Sequence, residues 1–327
     1  MVLLRLQMTE ADIFAEPTLF GSDEDYIADL FDRFIMPPYS VLDRKQGSWM
    51  RRKRQWLTLG IKSELGRAED LLFSKPNEDS SEAVKKIQGA TDGTSVFDPV
   101  IAEIAVRWFS APGGTVLDPF AGGSVRGIVT SLLSRNYYGI DLRSDQVEAN
   151  REQRSIASPD FPPLWIAGDS EKVLDSVEPE SVDLIFSCPP YFDLEVYSDD
   201  PDDLSNMDWF DFRSSYYGII DKAAKALKDD RFAVWIIGEV RDKKGFIRGL
   251  IPETIEAFRA AGLTYYNNGI TLDPQATAAL RAAPQFNSGR KLITVHQHFM
   301  VFVKGDPKKA TDYCKAGEED DGTDSFE

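Results

Sequence analysis

Three short apolar runs in the middle of this chain each close on an acid, and that recurrence constrains the fold more than any other feature. Thr115-Val116-Leu117 ends at Asp118, Tyr137-Tyr138-Gly139-Ile140 ends at Asp141, and Leu164-Trp165-Ile166-Ala167 is followed by Gly168-Asp169. Helical patterns over 125–133 and 144–155 separate them, and a fourth run, Val182-Asp183-Leu184-Ile185-Phe186, comes next. Strands alternating with helices bury their apolar faces as a parallel sheet covered on both sides. A long amphipathic helix with Phe212, Tyr216, Ile219, Ile220, Ala223 and Leu227 on one side leads into a strand at 232–237, and a helix at 253–261 follows. The last two apolar runs, 263–272 and 292–303, are joined by a polar, helix-poor loop, so they are expected to pair antiparallel as a hairpin. The fold class read from this pattern is α/β with a mostly parallel sheet.

The flanks read differently. Residues 1–95 are expected to form a helical, basic extension and linker: Tyr26, Ile27, Leu30, Phe31 and Phe34 recur at helical spacing before Pro37-Pro38, and 74–94 is polar with Ser and Gly. The main domain is expected over 96–304, opening on Asp98-Pro99 as the cap and first turn of a helix with Ile101, Ile104, Ala105 and Trp108 on its apolar face. Residues 305–327, charged and Gly-containing, are expected to be a disordered acidic tail. With 327 residues, 42% of them hydrophobic, the chain can bury a full core. It shows neither a long apolar span nor a basic-apolar leader, which points to the cytoplasm and away from a membrane. Cys188 and Cys314, the only cysteines, lie far apart and indicate no disulfide framework.

The formal net charge of −17 opposes nonspecific binding to a polyanion. The charge is uneven, however. Residues 44–56 are basic with interleaved tryptophans and no acid, so Trp49, Arg51, Arg52, Lys53, Arg54 and Trp56 are candidate nucleic-acid contacts, as are Arg281, Arg290 and Lys291 in the loop 273–291. A solvated basic helix face and a polar hairpin loop are the plainer readings of the same residues.

The turn after Asp118 contains Phe120, Ala121, Gly122, Gly123 and Ser124. Glycine between a strand and a helix lets the backbone approach a ligand closely and aims helix N–H groups at it. Asp141 at the second strand end can accept both hydroxyls of a ribose, and Asp169 at the third can reach an adenine amino group. Three acids at successive strand ends suit a ligand with ribose, adenine and a cationic aminoacyl arm, which describes S-adenosyl-L-methionine. They suit pyrophosphate poorly, and the G-x-G-x-x-G spacing of a dinucleotide site is absent.

Beyond the fourth strand lies Ser187-Cys188-Pro189-Pro190-Tyr191. Two consecutive prolines fix φ and remove donors, so the carbonyls here are rigid and free to accept from an exocyclic amine. Tyr191 offers a flat face to a base taken out of the stack, and Phe192 is expected to extend that wall.

These segments, in this order, resemble the amino-methyltransferases of DNA, the N6-adenine and N4-cytosine class. The family's first motif is Asp-Pro-Phe followed by small residues and Gly, and its catalytic motif is Asp, Asn or Ser, then Pro-Pro, then an aromatic. The resemblance runs over roughly 97–304, with donor motif ahead of catalytic motif. It implies a Rossmann-like class I methyltransferase fold, S-adenosyl-L-methionine as donor and duplex DNA with a flipped base as partner. It also implies donor contacts from Phe97 and Asp98 before the first motif, Leu142 beside Asp141 and Ser170 beside Asp169, and catalysis by Cys188, Pro189, Pro190 and Tyr191.

Two positions depart from the family's pattern. The second glycine of F-x-G-x-G is displaced, and Cys188 stands where Asp, Asn or Ser is expected. Cysteine is closest in size to Ser, which in the family leans toward N4-cytosine, so that base is slightly favoured. Cys188 as a nucleophile on a pyrimidine ring, assisted by Glu239, would instead give C5 methylation. A donor-binding protein without catalysis is a further alternative. His296 and His298 share one strand face, where a structural role is expected and no metal.

Overall fold

The computed structural model describes residues 30, 31, 33–62, 97–192, 200, 202–273 and 278–316. By contacts the chain divides into Met1–Tyr39 and Ser40–Glu327. In the first unit the Arg33 guanidinium lies 5.3 Å from the centre of the Phe34 ring.

The second unit is built on one eight-stranded sheet: β1 Val41–Asp43, β2 Thr115–Asp118, β3 Asn136–Asp141, β4 Leu164–Ala167, β5 Val182–Ser187, β6 Leu227–Ile237, β7 Thr264–Leu272 and β8 His296–Lys304. Its helices are α1 Gly47–Leu57, α2 Pro99–Phe109, α3 Val125–Leu132, α4 Ser144–Glu152, α5 Ser170–Val173, α6 Trp209–Ala226, α7 Leu250–Ala260, α8 Ala278–Gly289 and α9 Pro307–Lys315. The strand order is β1-β7-β8-β6-β5-β2-β3-β4. All pairings are parallel except those of β8, which runs antiparallel to both β6 and β7. This is the α/β architecture expected, a mostly parallel sheet with a C-terminal antiparallel hairpin, and β1 is added at one edge.

Local chemistry explains the elements that frame the sheet. Asp98 caps α2 by accepting from Val100 N at 3.0 Å, with Pro99 in the first turn, a pairing worth about 1 kcal/mol. Asp208 caps α6 through Phe210 N and Asp211 N. The helix then buries Phe212, Tyr216, Ile219, Ile220 and Ala223, the stripe expected from their spacing. Leu227, expected on that face, is instead the first residue of β6. Trp235 of β6 donates to Tyr216 Oη at 2.8 Å, which places two large buried polar aromatics in the core without an unmet donor between them.

Three sequence expectations are corrected. Residues 41–57 do not form a separate extension: β1 pairs with β7, and α1 packs on α2. The tryptophans that interrupt the basic stretch, Trp49 and Trp56, are seven residues apart, so they share the helix face that is buried. The loop between β7 and β8 contains a helix, α8. Its alanine-rich start favours helix, while Pro284 and Gly289 within it hide the signal. The tail expected to be disordered from 305 instead forms α9, capped by Asp306 with Pro307 in its first turn. Ala310 and Cys314, four residues apart, bury one face, and Tyr313 lies under the Arg231 guanidinium at 3.4 Å. Burial and the Asp183 charge push the Tyr313 phenol up to about 12. The linker expected at 74–94 and the acidic end 317–327 lie outside the described residues. No helix among the described residues is long and apolar enough to cross a membrane.

Candidate active site at the ends of strands β2 and β5

From β2 the chain steps outward to β3 and β4, then crosses back to β5 and continues to β6 on the other side. The crevice above the carboxyl ends of β2 and β5 is therefore the topological switch point, where open α/β sheets bind ligands. Asp118 ends β2 and Ser187 ends the parallel neighbour β5, so the glycine-containing turn and the proline elbow leave from the same edge.

Asp118 is wholly buried, and its carboxylate is saturated. Oδ1 accepts from Ser187 Oγ at 2.5 Å and Phe120 N at 3.2 Å; Oδ2 accepts from Arg126 Nε at 2.6 Å and Tyr137 Oη at 2.8 Å. A carboxylate offers about four lone-pair sites, and these four donors take them. Asp118 thus shapes the turn from beneath instead of facing the crevice, which corrects its expected place among the donor contacts. Arg126 carries the other half of this arrangement: its Nη2 donates to the carbonyls of Phe120 and Ala121, and its guanidinium lies 4.6 Å from the Phe97 ring centre. Burial opposes the charge, yet the Asp118 carboxylate holds the Arg126 pKa above its ordinary value. Burial and the same carboxylate push the Tyr137 phenol well above its range, so it remains a donor. Sequence reading missed Arg126, Tyr137 and Ser187. An arginine set among apolar residues at the start of α3 was the available signal.

The crevice side of the turn is formed by different groups. Gly122 has φ of 51°, in the left-handed region, and an added Cβ there would meet nothing closer than Arg126 Nη2 at 4.0 Å. Its N–H donates to Asp141 Oδ2 at 2.8 Å, and its carbonyl accepts from Asn150 Nδ2 at 2.7 Å. Asp141 Oδ1 accepts from Arg143 N at 3.0 Å. Two lone-pair sites of Asp141 therefore remain, enough for a pair of hydroxyls. Burial raises the Asp141 pKa, against the pull of the two backbone N–H groups. Ser124 Oγ is buried with no hydrogen-bond partner among the described residues, and such an unmet group is open to a ligand atom. Asp169 caps α5 by accepting from Glu171 N at 2.9 Å and pairs with Lys172 at 3.2 Å, while Ser170 Oγ donates to the Pro119 carbonyl. These residues fit a ribose-bearing donor: open backbone, an orphaned hydroxyl and an acid with spare acceptor sites.

At the elbow, Pro189 is buried while Cys188, Pro190 and Tyr191 are partly exposed. Cys188 Sγ lies 3.8 Å from Tyr191 Oη. Gly238, just past β6, leaves room for the tyrosine: a Cβ at that position would stand 3.1 Å from Tyr191 Cε2. Phe192 does not extend the wall. It turns inward at φ 53° and is buried edge-on against Trp209 and Phe212, with both centroids at 5.1 Å, under the Arg248 guanidinium. Anchored this way, it fixes where Tyr191 starts. Glu239, the assistant required for covalent C5 chemistry, is occupied: Oε1 accepts from the N–H groups of Val240, Gly249 and Leu250, at the start of α7.

The basic stretch of α1 meets acids of its own chain. Trp49 is 1% exposed and donates to Asp98 at 3.3 Å, so it is removed from the candidate nucleic-acid contacts. Arg52 forks onto the fully buried Glu103, which also accepts from Trp56 Nε1 at 2.6 Å. Lys53 pairs with Asp98 at 3.2 Å, and Arg44 bridges Asp98 and Asp273. Asp98 is thereby spent on α1 and α2. Arg51 and Arg54 remain exposed, as do Arg281 and Arg290, and Lys291 is partly exposed. The His296 and His298 rings lie 5.5 Å apart, and His298 Nδ1 is 3.1 Å from Asn268 Oδ1.

Residues 36–152 match the model of a family described as DNA methylase. The matched stretch runs from just before β1 through α4 and includes the Asp118 turn and Asp141, but not the elbow. Over it the resemblance to the DNA amino-methyltransferases holds. The comparison with curated proteins gives no match. Among solved structures, TrmN from Thermus thermophilus is 17% identical with a TM-score of 0.43, over 68% of this chain and 53% of that one. This chain thus spans about half of that protein's length. A TehB-like SAM-dependent methyltransferase from Corynebacterium glutamicum is 16% identical with a TM-score of 0.39, over 68% of this chain and 95% of that one. A SAM-dependent methyltransferase from Methanosarcina mazei is 9% identical with a TM-score of 0.41, over 60% and 95%.

Proposed function

We propose that this protein transfers a methyl group from S-adenosyl-L-methionine to an exocyclic amino group of a base flipped out of duplex DNA, with N4 of cytosine favoured over N6 of adenine. The observation that carries the reading is the joining of the two motifs at one switch point, where Ser187 Oγ of the elbow bonds Asp118 of the glycine turn at 2.5 Å. The donor supplies an electrophilic methyl carbon that leaves its sulfur as a neutral thioether as the new N–C bond forms. Everything else falls to this chain. Asp141 and Ser124 hold the donor over the open backbone at Gly122. The carbonyls of the elbow accept from the amino protons, which raises electron density on nitrogen, and the displaced proton passes to solvent. Tyr191 offers its face to the base. Catalysis by these parts is mainly positioning.

Incubation with methyl-labelled donor and duplex DNA, followed by digestion to nucleosides and mass analysis, tests this directly. The expected product is N4-methylcytosine, with N6-methyladenine as the other member of the class. Label in 5-methylcytosine gives Cys188 the covalent role, and donor binding without transfer makes the protein a silent binder.

A further inference from the structure

From residue 274 to 305 the sequence holds no aspartate or glutamate, in a chain whose net charge is −17. That stretch contains α8, in which Ala278 is the only buried residue and 279–290 are exposed except for the half-covered Ala282. A helix of this length is marginal in water without a packed face, and Pro284 removes one of its backbone hydrogen bonds. Opposite it stands the turn 240–248, closed by Asp242 N to Phe246 O at 2.9 Å and Gly245 N to Asp242 O at 2.8 Å. Between the two elements lies an open cleft of about 340 Å³, with Arg241, Lys243, Gln285, Ser288 and Lys291 in its lining.

Cations outnumber acids in the cleft, whose lining sets Arg241, Lys243 and Lys291 against Asp242. The turn 240–248 carries four cations and one acid, and 278–292 carries three cations and no acid. The one acid, Asp242, is directed into its own turn, where Oδ1 accepts from Phe246 N at 2.8 Å. Lys291 reaches across: its ammonium lies over Gly245, where a Cβ would stand 2.0 Å from Nζ. Lys243 and Lys291 have no carboxylate partner among the described residues.

We propose that this cleft seats the sugar–phosphate backbone of the duplex beside the base held by Tyr191. The inference rests on the DNA reading above and gives it a contact surface. Arg241 follows Gly238, which packs on the Tyr191 ring, by three residues. Three residues of chain span at most about 10 Å, which is about three base-pair steps of 3.4 Å. Cations and the short polar side chains Gln285 and Ser288 are the groups that meet phosphate oxygens, and such contacts set register without reading sequence. A surface helix with almost no packed face acquires one when a duplex lies along it.

The test compares wild type with the triple variant Arg241→Ala, Lys243→Ala, Lys291→Ala. Duplex DNA affinity is followed by fluorescence anisotropy against salt concentration, and S-adenosylhomocysteine affinity serves as the folding control. Each phosphate contact contributes about 0.9 to the log–log salt slope. The triple variant is expected to lose between two and three of slope, to bind duplex at least tenfold more weakly at physiological salt, and to keep its affinity for S-adenosylhomocysteine. Unchanged slope and affinity overturn the proposal, and so does a loss of self-association in their place, which would give the surface to a second copy of the chain. Absence of methyl transfer by wild type sinks the functional reading alone, because the binding measurement still decides the cleft.

Discussion

Ser187 Oγ and Asp118 Oδ1 lie 2.5 Å apart, and through that contact the end of β5 sets the end of β2. The two strands already run side by side in parallel register, Val116 opposite Leu184 and Leu117 opposite Ile185. The hydrogen bond carries this register one step past the sheet, into the turn and the elbow. Displacement of either segment breaks a buried charge-assisted bond, so the pair moves as one body.

Arg126 makes that body costly to perturb. Arg126→Met leaves the Asp118 carboxylate buried beside only neutral donors and is expected to destabilise the protein by about 3–5 kcal/mol in urea denaturation. Arg126→Lys keeps the charge but loses the fork that reaches both the carboxylate and the Phe120 and Ala121 carbonyls, so it is expected to fall between the two. Equal stability for Met and wild type would refute the network.

Cys188 separates two chemistries. As a weak hydrogen-bond partner it is replaceable, and Cys188→Ser is expected to keep methyl transfer within about threefold, since the hydroxyl bonds at least as well as the thiol. A covalent role predicts abolished transfer in the same initial-rate assay.

Tyr191 is expected to act through its face. Tyr191→Ala should cost about 1–3 kcal/mol of base stacking, read as roughly a tenfold to hundredfold fall in kcat/KM, with Tyr191→Phe close to wild type. Gly238→Ala should mimic part of the loss, because its methyl would press on the ring at 3.1 Å.

Asp183 gives the stability a pH dependence. Burial works against its charge, but Lys228 at 2.8 Å, the Thr115 N–H at 3.0 Å and Arg231 outweigh it and lower its pKa. A depressed folded value means the stabilisation is complete above the unfolded carboxylate value of about 3.9 and is lost as pH falls through the folded one. Asp183→Asn is expected to cost about 2 kcal/mol at pH 7, with the gap to wild type closing below about pH 4. A gap independent of pH in urea titrations would contradict this.

Much of the candidate site is legible because it is local in sequence. The strand-end acids, the glycine turn and the Pro-Pro-Tyr elbow each announce themselves within a few residues. What stayed hidden depends on partners far along the chain. Asp118 looks like a ligand contact until Arg126, Tyr137 and Ser187 are seen to surround it. The basic stretch of α1 reads as a nucleic-acid surface until Glu103 and Asp98, about fifty residues later, claim Arg52 and Lys53. In α9 the charged exterior outweighs the small buried pair Ala310 and Cys314, so composition alone suggests disorder.

The ion pair between Arg44 and Asp273 joins residues 229 positions apart, beside the pairing of β1 with β7. β1 thus covers what would otherwise be an open border of β7, the kind of unpaired edge to which another chain can add a strand.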